Sequence, residues 1–166
     1  PDFWERFTRK GAERDELNFM LRSVTLAAAH HGNVVMLGRG CFAPLQGMAD
    51  VLNVRVQAPL PTRIDRIMHR LHMTHDEATT CVKEKDELVA DFARTSYGLS
   101  TEGTEYFDLV IDTSKVGLDM AVSWIVEAVG ALKFSEDDEG TAAATRVDPI
   151  VANLVSEEFR CDVAHR

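Results

Sequence analysis

Apolar residues along the chain follow two spacings, one typical of amphipathic helices and one typical of short strands. Apolar positions three and four residues apart place one apolar face on a helix, and this spacing recurs along the chain. Helices are therefore predicted over 1–10, 13–31, from Pro61 or Thr62 onward, 74–97, 117–132 and 147–160. The side chains expected to face inward include Leu17, Met20, Leu21, Val24 and Ala28 in the second helix, and Leu118, Ala121, Val122, Ile125, Val129 and Leu132 in the fifth.

Short apolar or alternating runs between these helices predict strands at 33–37, 51–58 and 106–112. The first run, Val34 to Leu37, is typical of a strand buried in a parallel sheet. Strands separated by helices predict an α/β fold with a parallel sheet. We therefore expect a three-layer domain in which helices flank that sheet.

The composition divides the chain into a body, a linker and a C-terminal element. Residues 1–133 form the predicted α/β domain. Residues 134–146 are rich in acidic and small side chains, which predicts an acidic flexible linker. Residues 147–166 regain an apolar pattern and are predicted to form an amphipathic helix or the start of a further element.

The ends of the predicted helices carry capping signals. Gly32 and Gly98 directly follow two of them, and glycine is favoured in the left-handed conformation that ends a helix. Thr74 and Glu77 have the spacing of a capping box, in which each side chain bonds the other residue's backbone N–H.

Net charge and cysteine content exclude several classes of partner. The formal net charge of −9 argues against binding to a nucleic-acid backbone. No apolar run approaches the roughly 20 residues that a membrane span needs, so no membrane partner is expected. The three cysteines are widely spaced, which suits a reducing cytoplasm and offers neither a disulfide framework nor a zinc site.

The first predicted strand runs into a Gly38-Arg39-Gly40 turn, which is the leading candidate for a binding site. Ligands of open α/β sheets bind beyond the carboxyl ends of the strands, where this turn is expected to lie. Glycines on both sides permit a close approach of the backbone to a ligand. Arg39 is therefore the charge that the turn would present to a ligand, and the alternative is a turn arginine paired with a surface acid.

Three arginines share one face of the third predicted helix. Arg63, Arg66 and Arg70 are spaced three and four residues apart, which places them side by side. Arginine is suited to bidentate contact with phosphate. The alternative is a solvated face paired with acids such as Asp65 or Glu84, because most exposed charge runs have that role.

Three histidines follow on and beyond the same helix. No carboxylate or thiolate completes a ligand set with His69, His72 and His75, so no metal site is predicted. Cys81 occupies a helix position with apolar neighbours and is expected to pack in the core rather than act as a nucleophile.

Four segments in a fixed order give the chain a resemblance to a known family. They are VVMLGRG (34–40), VRVQAPLPTRIDRIMHR (54–70), CVKEKD (81–86) and YFDLVIDTS (106–114), the last followed by an amphipathic helix. Over residues 13–132 the chain resembles the cytidylate kinase-like family, a branch of the P-loop nucleoside monophosphate kinases.

The resemblance implies three groups of ligand contacts. The turn after the first strand would bind the phosphate of the monophosphate substrate, through Gly38, Arg39 and Gly40. The arginines of the following helix would be catalytic, contacting the transferring phosphates or closing as a lid, and are Arg63, Arg66 and Arg70. A further pair lies where the family's lid helix returns over the nucleotide, Lys85 and Asp86.

The chain departs from the family at the part that holds the donor phosphates. P-loop kinases present a lysine and a hydroxyl from a glycine-rich loop. No glycine in this sequence is followed by lysine, so the Walker A loop and its first strand are predicted to be absent from the chain. The strands at 33–37 and 51–58, which flank that strand in the family, must then pair directly, borrow a strand or leave a gap. Gly40 and Val89 stand where the family often has an acid and an arginine.

The expected fold is thus P-loop kinase-like but incomplete, and two functions remain open. With an upstream P-loop, the resemblance implies phosphoryl transfer from ATP, with Mg²⁺, to a nucleoside monophosphate. Without one, no cofactor is expected, and the alternative is a catalytically degenerate regulatory or assembly module that keeps only the acceptor pocket. A small nucleotide or phosphate is the expected ligand, and an incomplete sheet predicts a homo-oligomer or a partner strand.

Overall fold

A computed structural model describes residues 12–100, 103–134 and 139–163. Within these ranges the chain divides into two compact units. The first draws on the described parts of 1–53 and 129–166, and the second is the segment 54–128. The helix predicted at 1–10 lies outside the described residues.

The described secondary structure alternates helices with two short strands. Its elements are α1 (Ala12–His31), a 3-10 turn (Ala43–Leu45), β1 (Val54–Gln57), α2 (Leu60–Leu71), α3 (His75–Tyr97), β2 (Leu109–Asp112), α4 (Leu118–Gly130) and α5 (Pro149–Val163). The helices predicted after residue 12 are therefore confirmed, with ends that differ by a few residues. Among the described helices, none is long and apolar enough to cross a membrane.

The two strands pair in parallel, which confirms the predicted direction of the sheet. Val54 lies opposite Leu109 and Gln57 opposite Asp112. Both strands are shorter than predicted, four residues each. Ile111 of β2 is only 1% exposed and is one of the largest fully buried side chains. The α/β class and the parallel pairing are thus observed, whereas the three-layer arrangement and the missing first strand stay predictions.

Residues 33–37 are not part of a strand, so this prediction is wrong. The side chains alternate as in a strand, because Val34 and Met36 are half-buried while Val35 and Leu37 are 99% and 96% exposed. An apolar run is buried in a sheet only when neighbouring strands bond to its backbone and cover both faces. No strand among the described residues does so here.

The first unit is built around the contact between α1 and α5. The ring of His31 meets the ring of Phe159 edge-on, with 5.0 Å between centroids. A small buried cluster of Ala29, Leu45 and Ala142 completes the core. The apolar pattern after residue 147 therefore forms a helix, α5, that packs against α1. The sequence predicted this helix but not the element against which it packs.

Asp50 holds the chain segment that precedes α5. Its carboxylate accepts hydrogen bonds from the backbone N–H of Ala142 at 2.6 Å and of Ala143 at 3.1 Å. Thr141 and Ala142 are 2% and 1% exposed. The predicted domain boundaries stay a prediction, but the described part of the 134–146 segment packs into the first unit. These hydrogen bonds fix the backbone of this segment beside Asp50.

The second unit contains a helical hairpin of α2 and α3. Ile64 of α2 packs in a buried cluster with Ala78 and Val82 of α3. His72, with φ of 55°, ends α2 in the left-handed conformation, and Gly98 does the same for α3. This buried cluster follows the apolar spacing of the two helices, whereas Leu71 and Val89 are 44% and 45% exposed.

Several side chains predicted to face inward are exposed. In α4 Ala121 is buried as predicted, but Leu118, Val122 and Val129 are 72%, 60% and 52% exposed. In α1 the predicted Ala28 is buried, whereas Met20 and Val24 are 55% and 44% exposed. Helical spacing identifies the apolar face of a helix, but it does not say whether another element covers that face.

The capping box at the start of α3 is present as predicted. The Thr74 hydroxyl accepts a hydrogen bond from the Glu77 backbone N–H at 3.4 Å, and the Thr74 N–H donates to the Glu77 carboxylate at 2.8 Å. Thr74→Ala is expected to lower the free energy of unfolding by about 1 kcal/mol, as measured by urea denaturation at neutral pH.

The stabilisation by this box is expected to depend on pH. The Thr74 hydroxyl and backbone N–H lower the pKa of the Glu77 carboxyl. A depressed pKa stabilises the folded state above the unfolded pKa of about 4.3, and this stabilisation is lost as pH falls through the folded pKa. The stability difference between wild type and Thr74→Ala should therefore shrink below about pH 4. Thr80→Ala, an exposed position of α3, is the control and should show no such pH dependence.

Candidate functional site

The Gly38-Arg39-Gly40 turn has a strained backbone. All three residues have positive φ, at 72°, 57° and 67°, and the Cys41 N–H closes the turn by donating to the Gly38 carbonyl at 3.2 Å. Glycine adopts this conformation freely, whereas a residue with a Cβ pays roughly 1–2 kcal/mol. Arg39 is exposed and held in that conformation. Strain of this kind clusters at functional sites, so the turn is a candidate site on its geometry.

Cys41 directly follows the turn but is not suited to nucleophilic chemistry. The thiol is half-buried, and burial raises its pKa above the ordinary value. The thiol therefore stays protonated at neutral pH. Because the thiolate is the nucleophile, a thiol with a raised pKa is poorly reactive. Arg39 therefore stays the candidate binding residue of this turn.

The second unit contains the other predicted site residues, and Arg63 is the most constrained of them. Its Nη1 and Nη2 atoms donate to the two carboxylate oxygens of Asp86 at 2.6 and 2.8 Å. Its Nε donates to the Ala58 carbonyl at 3.1 Å. Hydrogen bonding to Asp86 raises the Arg63 pKa further above its ordinary value. The structure thus brings together two predicted residues, and the partner of Arg63 is Asp86 rather than Asp65 or Glu84.

Arg66 reaches the carboxyl ends of both strands. Its guanidinium donates to the Thr113 hydroxyl at 2.9 Å and to the Thr113 carbonyl at 2.7 Å. Thr113 in turn donates through its backbone N–H to the Gln57 carbonyl at 2.9 Å. Arg66 therefore lies at the strand ends, which is the ligand-binding edge of an α/β sheet.

Asp112 stays ionised beside this arginine. Hydrogen bonds from the Ser114 hydroxyl, at 2.7 Å, and from its backbone N–H lower the Asp112 pKa, and the charges of Lys115 and Arg66 lower it further. Sequence reasoning missed Thr113 as the partner of Arg66. Its position directly after the last residue of β2 was the available signal, since parallel strands end at one edge.

Arg70 and Lys85 are two further predicted residues with exposed side chains. Neither side chain hydrogen-bonds to another described residue. Arg70 lies one helical turn after Arg66 on α2, so its guanidinium remains available to a ligand. The structure thus separates the three helix arginines into one paired with a carboxylate, one at the strand ends and one in solvent.

The described residues do not fit a metal site. No group of three or more His, Cys, Asp or Glu side chains among them could hold a metal ion. Nor does the 166-residue sequence contain the glycine-lysine pair that cradles nucleotide phosphates. Neither Mg²⁺ nor ATP is therefore assigned to these side chains.

Comparison with known protein families places this turn and the helical hairpin in one known family. The model of the cytidylate kinase-like family matches residues 1–115, which include the glycine-arginine-glycine turn, the α2–α3 hairpin and β2. This chain belongs to the cytidylate kinase-like family. The resemblance predicted from the four sequence segments is confirmed.

Named relatives agree with this assignment. A cytidylate kinase of Ignicoccus hospitalis is 34% identical over 113 residues, which are 66% of this chain and 63% of that protein. Cytidylate kinases of Methanopyrus kandleri and Methanocaldococcus jannaschii are 24% and 26% identical over 80% and 78% of this chain, and the matches span 73% and 74% of their lengths. The match with the Ignicoccus protein thus spans less than two thirds of its length. No solved structure matches the chain.

Proposed function

We propose that this chain is the acceptor half of a nucleoside monophosphate kinase and binds the phosphate of a cytidine monophosphate-type nucleotide. The observation that carries the proposal is the Arg39 side chain, held at positive φ between two glycines in a chain of the cytidylate kinase-like family. Backbone strain at a charged residue is retained where a fixed position serves a function. The relatives are named cytidylate kinases, which supports CMP as the ligand.

The helix arginines supply the second part of the proposal. Phosphoryl transfer depends on positioning and charge neutralisation rather than on covalent chemistry by the protein. Arg63, Arg66 and Arg70 place three guanidinium groups along α2, and Arg66 reaches the strand ends directly. In this proposal they neutralise phosphate charge, while Lys85 and Asp86 belong to the segment that closes over the nucleotide.

Phosphoryl transfer itself requires donor-site groups that the described residues do not supply. ATP with Mg²⁺ would provide the transferred group and neutralise its charge. A glycine-rich loop bearing lysine would be needed to hold it. A second candidate function, a regulatory or assembly module that binds a monophosphate without transfer, is favoured by Gly40 and Val89, which replace charged residues common in the family. A second copy of the chain, or a partner strand, remains a proposed partner.

Calorimetry on this chain tests the proposal. CMP is expected to bind, and cytidine, which is the same ligand without its phosphate, is expected to bind at least tenfold more weakly because the site is anchored on the phosphate. Equal binding of CMP and cytidine, or no binding of either, would contradict the acceptor site. Binding of ATP with Mg²⁺ to the same chain would reject the degenerate alternative.

A further inference from the structure

The ion pair between α2 and α3 uses the guanidinium N–H donors that a phosphate would need for a bidentate contact. Arg63 and Asp86 are 23 residues apart and join the two helices through paired hydrogen bonds of 2.6 and 2.8 Å. Their side chains are 35% and 50% exposed, so a ligand in solvent can reach the pair. A carboxylate and a phosphate each present two oxygens to the same guanidinium fork.

The donor count of Arg63 shows that neither of its two forks is free for a further bidentate ligand. A guanidinium has five N–H donors, which form two usable forks, one between the two Nη atoms and one between Nε and a single Nη. Asp86 takes the first fork, and the Ala58 carbonyl takes the Nε–H of the second at 3.1 Å. The two N–H groups that remain lie on opposite edges of the group. A phosphate can therefore engage Arg63 bidentately only if it replaces Asp86 or Ala58.

We propose that Asp86 is an intramolecular substitute for a ligand phosphate, which holds the Arg63 fork until a nucleotide displaces it. This inference rests on the proposed function, because it takes a nucleoside monophosphate as the ligand and Arg63 as one of the helix arginines that neutralise its phosphate. Displacement is feasible because exposed ion pairs contribute little to stability. Asp86 thereby lowers the affinity of the chain for its ligand, because a phosphate that binds the fork between the two Nη atoms must first break the carboxylate pair.

Removing the carboxylate is therefore expected to tighten ligand binding. Asp86→Asn keeps the shape of the side chain and removes its charge, and CMP should bind about threefold to fivefold more tightly in calorimetry. The matched control is Asp91→Asn on the same helix. Asp91 also forms an ion pair, with Arg94 at 2.6 Å, and its substitution changes the net charge equally. CMP affinity should be the same in Asp91→Asn as in the wild type.

The outcomes separate this inference from the proposed function. Tighter CMP binding by Asp86→Asn than by Asp91→Asn supports the substitute role. Equal or weaker binding by Asp86→Asn, with CMP binding to the wild type intact, overturns the inference and leaves the proposed function standing. Failure of all three proteins to bind CMP rejects the proposed function, and the inference with it.

A measurement on the wild type covers the case in which Asp86→Asn does not fold. The Nε–H signal of Arg63 is followed by NMR during titration with CMP and, separately, with inorganic phosphate. Exchange of the carboxylate for phosphate predicts a change of this signal that saturates with ligand. A signal that stays unchanged at saturating CMP overturns the inference.

Discussion

Arg39→Gly is expected to weaken CMP binding about 10- to 100-fold without a loss of stability. A hydrogen bond to a charged partner contributes about 1.5–3 kcal/mol, which corresponds to this range of affinity. The substitution also removes the Cβ that makes positive φ costly, at φ of 57°. That relief opposes the entropic cost of an added glycine, so the free energy of unfolding should change by less than about 1 kcal/mol.

His72→Gly is the matched control for this prediction. His72 is also a non-glycine residue with positive φ, at 55°, and it ends α2 rather than joining the turn at Arg39. Its substitution should affect stability in the same way and leave CMP affinity unchanged. Calorimetry measures the affinity, and urea denaturation measures the stability. If both variants lose binding equally, the loss comes from the backbone and Arg39 is not a phosphate anchor.

Ile111→Ala is expected to destabilise the second unit strongly. Ile111 is 1% exposed in β2, and truncation of a buried isoleucine leaves a cavity and costs about 2–5 kcal/mol. In a chain of this size the unfolding temperature should fall by roughly 5–15 °C, measured by circular dichroism during heating. Val110→Ala in the same strand is the control, because Val110 is already 37% exposed. A similar fall in unfolding temperature in both variants would show that the burial of the Ile111 side chain is not what stabilises β2.

Local signals in the sequence predicted the helices well because those signals act within a few residues. Thr74 and Glu77 are three residues apart, and their capping box forms as predicted. Gly98 likewise ends α3. The strand predicted at 33–37 is wrong because a buried strand needs neighbouring strands from distant parts of the sequence, and an apolar run does not specify them.

The candidate site was predictable in its residue types but not in their pairing. The spacing of Arg63 and Arg66 placed both on one helix face, yet their partners lie 23 and 47 residues away. The packing of α3 against α2 brings Asp86 to Arg63, and Thr113, directly after β2, bonds to Arg66. Neither contact follows from helical periodicity, because it is set by tertiary packing.

The packing of α1 against α5 has a consequence for the order of events during synthesis. The α1 segment leaves the ribosome before α5, which begins at Pro149, more than 100 residues after α1 ends at His31. At the usual rate of about 5–20 residues per second, α1 waits roughly 10 s for its partner. The α2–α3 hairpin in between needs only contacts close in sequence. The helical hairpin can thus form on the ribosome before α5 emerges, whereas α1 must stay without this partner until then.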